Sequence, residues 1–301
     1  MSPKGRPEGE CRSAQHEGSP VSGFTREFVE RGYNNRAACP DHPHWLDEYA
    51  RLSAAVYAGS EVRRDLRYGA GPKETLDLFL PTGPARGTYA FFHGGYWRAL
   101  DKTDFAFVAA PFVARGIAVA SVNYDLCPDV SMAHIVDECR RAVGWLAREG
   151  TRHGADVSRL VIGGHSAGGH LAAMMYVTDW WTWGFERAPF HAGVTLSGVH
   201  DLAPMTLFSF NDDLRLDDER ARELSPVAHP PRVTAPLLMA VGAAETSEFI
   251  RQTRLLWDLW PKQRPAGATA PLLVEGKNHF SVIADYAAAD SVLTRATLGL
   301  F

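Results

Sequence analysis

The stretch Arg159-Leu160-Val161-Ile162-Gly163-Gly164-His165-Ser166-Ala167-Gly168-Gly169-His170 decides how this chain is read. An apolar strand is expected over Arg159–Gly163, and an Ala- and Met-rich helix over Ala167–Tyr176. Between them lies Gly164-His165-Ser166-Ala167-Gly168, a G-x-S-x-G run in the strand–turn–helix setting that such a motif requires. The requirement is steric: a serine held in a strained turn needs neighbours two residues away that carry no side chain. The turn raises the hydroxyl above the sheet edge and aims the helix N-terminus, which favours negative charge, at the same point. Two other Gly-rich loops are excluded, because the segment supplies neither G-x-G-x-x-G nor a Gly-Lys-Ser/Thr phosphate loop.

Working outward, strands and helices alternate. Strands are predicted at Glu61–Tyr68, Thr75–Leu80, Thr88–Phe92, Ile117–Val122, Arg159–Gly163, Ala192–Ser197, Pro236–Val241 and Pro271–Glu275. Helices are predicted at Asp104–Arg115, closed by Gly116, at Ser131–Glu149, at about Glu248–Trp260 and at Ser281–Thr297. Before them, Phe24–Ala58 has a mixed helical pattern and reads as an extension packed on the main domain. Nearly all-apolar strands alternating with helices indicate a mostly parallel sheet covered on both faces. Its ligand site should lie beyond the C-terminal strand ends, where each motif falls.

After the strand at Thr88 comes His93-Gly94-Gly95-Tyr96-Trp97, a variant of the HGGG-type loop. Acyl transfer passes through an oxyanion that needs preorganised donors, each worth ~3–4 kcal/mol. The N–H groups of Gly94, Gly95 and Ala167 are the expected set. His93 precedes the nucleophile and is read as ordering the loop. The fold in which such motifs occur runs Ser, then acid, then His. His279, in the Gly-containing loop after the last strand, is the expected base, with His229 as its nearest rival. Glu245 is the first carboxylate past the strand at Pro236 and is preferred as the acid. Asp201 and Glu248 remain alternatives, Glu248 more naturally starting a helix that Ser247 would cap. The expectation is therefore an α/β-hydrolase fold, a mostly parallel central sheet flanked by helices, with a Ser166–His279–Glu245 triad.

The 301 residues carry a net charge of −4 and are 46% hydrophobic, enough for one large core and unlike the basic footprint of a nucleic-acid binder. No apolar run of ~18 residues suggests a membrane span. Residues 1–22 read as a disordered tail without a secretory h-region, and residues 23–301 as one domain. Cys11, Cys39, Cys127 and Cys139 form no CxxC pair, which favours free thiols and a cytoplasmic location; a Cys127–Cys139 disulfide is the weaker alternative. His42 and His44 show no metal-site spacing, so neither metal nor cofactor is expected. A small-molecule substrate is the expected partner, and a homodimer is left open.

A cap insertion is expected over roughly residues 178–230, which hold Trp180, Trp181, Trp183, Phe208 and Phe210. Tyr96, Trp97 and Phe280 are the candidate aromatic substrate contacts, whereas Trp181 and Trp183 are read as core.

With these residues in place, the chain resembles the kynurenine formamidase (arylformamidase) branch of the α/β-hydrolases. The resemblance is carried by Tyr33-Asn34-Asn35-Arg36 with Ala38-Cys39-Pro40-Asp41, by the His93–Trp97 loop, by Gly164–His170, by Phe249-Ile250-Arg251-Gln252 and by Asn278-His279-Phe280. It implies hydrolysis of an aryl formamide, with N-formylkynurenine as the first substrate, and places the acid at Glu245, where aspartate is usual. A carboxylesterase acting on short-chain or aryl esters is the alternative. A binding-only scaffold disagrees with an intact Ser166 and His279.

Overall fold

The structure is a computed structural model and describes residues 23–301; the expected tail 1–22, with Cys11, lies outside the described residues. Eight strands form one sheet in the order β1-β2-β4-β3-β5-β6-β7-β8. They are β1 (Glu61–Arg67), β2 (Thr75–Leu80), β3 (Thr88–Phe92), β4 (Ala118–Val122), β5 (Leu160–His165), β6 (Ala192–Leu196), β7 (Leu237–Gly242) and β8 (Leu272–Val274). The β1–β2 and β2–β4 pairs are antiparallel, and all the others are parallel. All eight expected strands are present. The edge strand β1, Glu-Val-Arg-Arg-Asp-Leu-Arg, is largely exposed, and its charges discourage pairing with another chain.

The helices are α1 (Arg26–Tyr33), α2 (Asn35–Ala38), α3 (His42–Gly59), α4 (Ala109–Val113), α5 (Met132–Glu149), α6 (Ala167–Val177), α7 (Asn211–Leu214), α8 (Asp218–Glu223), α9 (Ser247–Leu259), α10 (Ser281–Ala284) and α11 (Val292–Leu298). Strand side chains alternate between two cores, as period two demands. Ala90 and Phe92 pack with residues of α5 and α6, while Tyr89 and Phe91 pack with α4 and the C-terminal helices. Among the described residues no helix is long and apolar enough to cross a membrane.

The differences from expectation are local. The helix expected over Asp104–Arg115 opens as a 3-10 turn, Lys102–Val108, because Asp101 and Asp104 form a capping box one turn earlier. The last helix is broken: Ala288 is extended, and Ser291 accepts from Thr294 N to start α11 afresh. The cap of α9 is Thr246, not Ser247, and its hydroxyl donates instead to Gly32 O (2.6 Å). The span 178–230 is not one insertion, because β6 of the central sheet runs through it; a 3-10 turn at Trp180–Trp183 precedes the strand, and α7 and α8 follow it. Trp181 is 72% exposed rather than core. It lies in that turn, where Trp180 takes the buried position.

Candidate active site

The elbow is strained as its sequence demands. Ser166 sits at φ 57° and ψ −117°, a conformation L-residues rarely adopt, between the end of β5 and the start of α6. Its N–H donates to Leu196 O of β6 (2.8 Å), and its carbonyl accepts from His170 N (3.1 Å). The flanking glycines are close backbone contacts. A Cβ on Gly164 would lie 2.3 Å from Gly168 O, and one on Gly168 would lie 2.0 Å from Phe92 O. Neither can be relieved by turning a side chain.

The loop after β3 reaches the same point. Tyr96, Trp97 and Leu100 all have positive φ (51°, 56° and 72°), a concentration of strain in one short segment. Gly95 has φ 117°, and a Cβ there would lie 2.1 Å from Ala99 O. A Cβ on Gly94 would come within 3.3 Å of Ser166 Cβ, so the loop lies against the serine. The N–H groups of Gly94, Gly95 and Ala167 have no acceptor among the hydrogen bonds of the described residues. His93 is fully buried, stacked on Tyr124 at 4.2 Å between centroids, with Nδ1 2.7 Å from Gly94 O. Burial pushes its pKa down to about 4, so it serves as a neutral clamp on the loop.

His279 follows β8 in a loop held by Asn278, whose Oδ1 accepts from Phe280 N (3.0 Å) and Ser281 N (2.8 Å). Its Nδ1 lies 2.7 Å from Glu245 Oε2. The other oxygen, Glu245 Oε1, accepts from Gly242 N (2.8 Å) and Ser197 Oγ (2.5 Å). The carboxylate thus has three hydrogen-bond partners and a fixed orientation. The alternatives are committed elsewhere. Glu248 accepts from Tyr33 Oη (2.9 Å) and pairs with Arg251. Asp201 lies 3.6 Å from Arg251. His229 is half-buried and its Nε2 contacts Glu223 O (2.9 Å).

Ser166 and His279 line one cleft of about 720 Å³, including its open mouth, together with Gly94, Gly95, Tyr96 and Phe280. The Ser166 hydroxyl makes no hydrogen bond to a described residue. Tyr49, Phe105 and Phe210 widen the aromatic lining. Trp97 does not line the cleft. It is fully buried, and its indole N–H donates to His170 Nδ1 (3.2 Å) while His170 Nε2 donates to Leu224 O (2.7 Å). With Tyr96 and Trp97 both at positive φ, Tyr96 lines the cleft while the next side chain turns into the core. His165, the residue before the serine, also lines the cleft; its buried ring nitrogens have no partner, and desolvation holds its pKa well below the ordinary value. A cation there, 4.7 Å from the ring of His279, is disfavoured.

Sequence reasoning missed Ser197, Asn34–Arg36, Leu46 and Tyr49. Ser197 has positive φ (52°) at the end of β6, which aims its hydroxyl at Glu245; position at a strand end was the available signal. The others come from the N-terminal segment, and nothing in their local pattern reports that it folds over the strand ends. His42 Nδ1 lies 3.0 Å from Cys39 O. Among the described residues one His–carboxylate group, Asp125, His134 and Glu138, has ligand atoms within 4.8 Å of one another. None of the three lines the cleft.

A mostly parallel sheet with helices on both faces, a strained serine between β5 and α6 and a carboxylate-bound histidine after the last strand define an α/β-hydrolase. Residues 76–206 match the BD-FAE family. A kynurenine formamidase from Salmo salar is 31% identical over 91% of this chain and 94% of its own length. A solved structure of a putative thioesterase from Silicibacter superposes with a TM-score of 0.77 at 31% identity, over 87% of this chain and 96% of that one. A Pyrobaculum calidifontis esterase shares the fold at a TM-score of 0.66 and 16% identity, over 94% and 97% of the two chains. The chain belongs to the kynurenine formamidase family, and it is a hydrolase.

Proposed function

We propose that this hydrolase is an arylformamidase that converts N-formylkynurenine to kynurenine and formate, a step of tryptophan catabolism. The observation that carries the reading is the His279–Glu245 pair beside Ser166 in a cleft lined by aromatic rings. His279 Nε2 takes the Ser166 proton as Oγ attacks the formyl carbon. The carbonyl oxygen becomes an oxyanion, received by the N–H groups of Gly94, Gly95 and Ala167. Collapse breaks the C–N bond, and His279 returns its proton to the departing arylamine. Water then attacks the formyl-enzyme, gives a proton to His279, and formate leaves as Ser166 recovers it. Glu245 holds Nδ1 protonated throughout, so that Nε2 is the basic nitrogen. The buried unpaired thiols of Cys39, Cys127 and Cys139 fit a reducing compartment such as the cytoplasm.

The test is kcat/KM for N-formylkynurenine and p-nitrophenyl acetate side by side, with Ser166→Ala as control. Formamide turnover at ~10⁴ M⁻¹s⁻¹ or better, within the ordinary enzyme range, supports the reading. Reaction of the ester alone makes the protein a carboxylesterase, the alternative that the putative thioesterase likeness keeps open. Activity that survives Ser166→Ala removes the serine from the mechanism.

A further inference from the structure

The lining of the cleft is uneven in charge. Arg36 and Arg98 border it, and no aspartate or glutamate does. Arg98 is already neutralised: its Nε lies 2.5 Å from Asp213 Oδ2, and its guanidinium lies over the Phe210 ring at 4.4 Å. Arg36 is exposed and forms no ion pair among the described residues. A guanidinium at the mouth of an apolar cleft with no acid beside it favours an anionic ligand, most of all a planar carboxylate.

The adjacent residue adds a second demand. Asn35 also lines the cleft, is 4% exposed, and has a buried Oδ1 with no partner. Its orientation follows from its neighbours. The hydrogen of the Tyr96 hydroxyl goes to Tyr33 O. Tyr96 Oη can therefore only accept, and Asn35 turns its amide nitrogen toward it at 3.5 Å. Flipping the amide would set two acceptors against each other, so Oδ1 is the end left free. A buried acceptor without a donor calls for one.

We propose that Arg36 and Asn35 form a subsite for the α-amino-acid end of the substrate, Arg36 taking the carboxylate and Asn35 Oδ1 accepting from the ammonium group. The proposal rests on the arylformamidase reading and narrows it: the substrate is a zwitterionic amino acid bearing the formamide on an aryl side chain, not a neutral aryl ester or anilide. The subsite sets affinity and orientation and takes no part in proton transfer.

Binding separates this claim from turnover. Calorimetry on the full-length Ser166→Ala protein at low salt compares N-formylkynurenine with its α-carboxamide, which is nearly isosteric and lacks the negative charge. The expected result is about tenfold tighter binding of the carboxylate, reduced to less than twofold when Arg36→Gln is added. Removing the ammonium group from the ligand should weaken binding severalfold, and Asn35→Ala should erase that difference. Arg36 is exposed, so its replacement leaves the core intact, and a thermal melt checks this. Equal affinity for carboxylate and carboxamide, a preference unchanged by Arg36→Gln, or binding of neither ligand overturns the subsite. Turnover by the wild-type protein is measured alongside. Carboxylate-selective binding without hydrolysis keeps the subsite and discards the formamidase reading; hydrolysis without carboxylate selectivity does the reverse.

Discussion

Replacing Glu245 by Gln should remove nearly all activity while leaving the fold in place. The carboxylate accepts three hydrogen bonds, one from His279 Nδ1 at 2.7 Å and two on Oε1 from Ser197 and Gly242. A Gln amide can keep its oxygen on Ser197 and Gly242, since both are donors. Its NH₂ then faces His279 Nδ1. That nitrogen must become an acceptor, and the ring proton moves to Nε2, the atom that has to receive the Ser166 proton. The same wrong-tautomer substitution in other serine triads costs about 10⁴-fold in kcat. At 1.36 kcal/mol per decade this is a loss of about 5.4 kcal/mol of transition-state stabilisation. Because every buried polar atom keeps a partner, the melting temperature should move by only a few degrees. Glu245→Asp keeps the charge but stops about one bond short of His279, a misplacement worth roughly 10²-fold. The assay is kcat/KM on N-formylkynurenine and p-nitrophenyl acetate, with thermal melts of each variant. Activity of Glu245→Gln within tenfold of wild type would falsify the assignment, and a 10⁴-fold loss in Asp201→Asn instead would move the acid to Asp201.

Three further outcomes are expected. Gly168→Ala drives a Cβ to 2.0 Å from Phe92 O; overpacking against backbone should cost roughly 3 kcal/mol or more, about 6–12 °C in a thermal melt, and a melt within 2 °C of wild type contradicts the packing. Ser197→Ala removes one of the donors that hold Glu245, so kcat should fall roughly tenfold with KM little changed; a change confined to KM points to a different role. Burial pushes the Glu138 carboxyl up to about 8, whereas the unfolded chain gives up that proton near 4.5. The native state therefore retains a proton that the unfolded state loses, and this contribution to stability is complete below pH 4.5 and lost as pH rises toward 8. Glu138→Gln should accordingly gain in melting temperature relative to wild type between pH 5 and pH 8, and an equal offset at both pH values refutes the shift.

Much of the fold was legible because its signals are local. Each apolar strand run stands between turn residues, and each of the eight lies within two residues of its place. The elbow announced itself because Gly164, Ser166 and Gly168 stand at fixed spacing between an apolar run and an Ala-rich run, although the contact that requires Gly168 comes from Phe92 on β3. The acid was harder. Glu245, Glu248 and Asp201 all follow strands, and only the packing of α1 against α9 shows that Glu248 is taken by Tyr33 and Arg251. The fate of Trp97 could not be read, because two adjacent residues of positive φ overturn any alternation rule. The final helix was overextended because its periodicity continues through Ala288, where the backbone turns extended before Ser291 caps a new start.

The cleft is walled on one side by residues 34–36, 46 and 49, which precede the first strand of the sheet. The match to the BD-FAE family covers only residues 76–206. This wall of the cleft therefore lies apart in sequence from Ser166 and His279, which line the same cleft. Tyr33 joins the two by donating to Glu248 and accepting from Gln252 on α9. In the laboratory, a chimaera that grafts the first sixty residues of one relative onto the sheet of another should carry over ligand choice, provided the tyrosine and its two hydrogen-bond partners travel as a matched set.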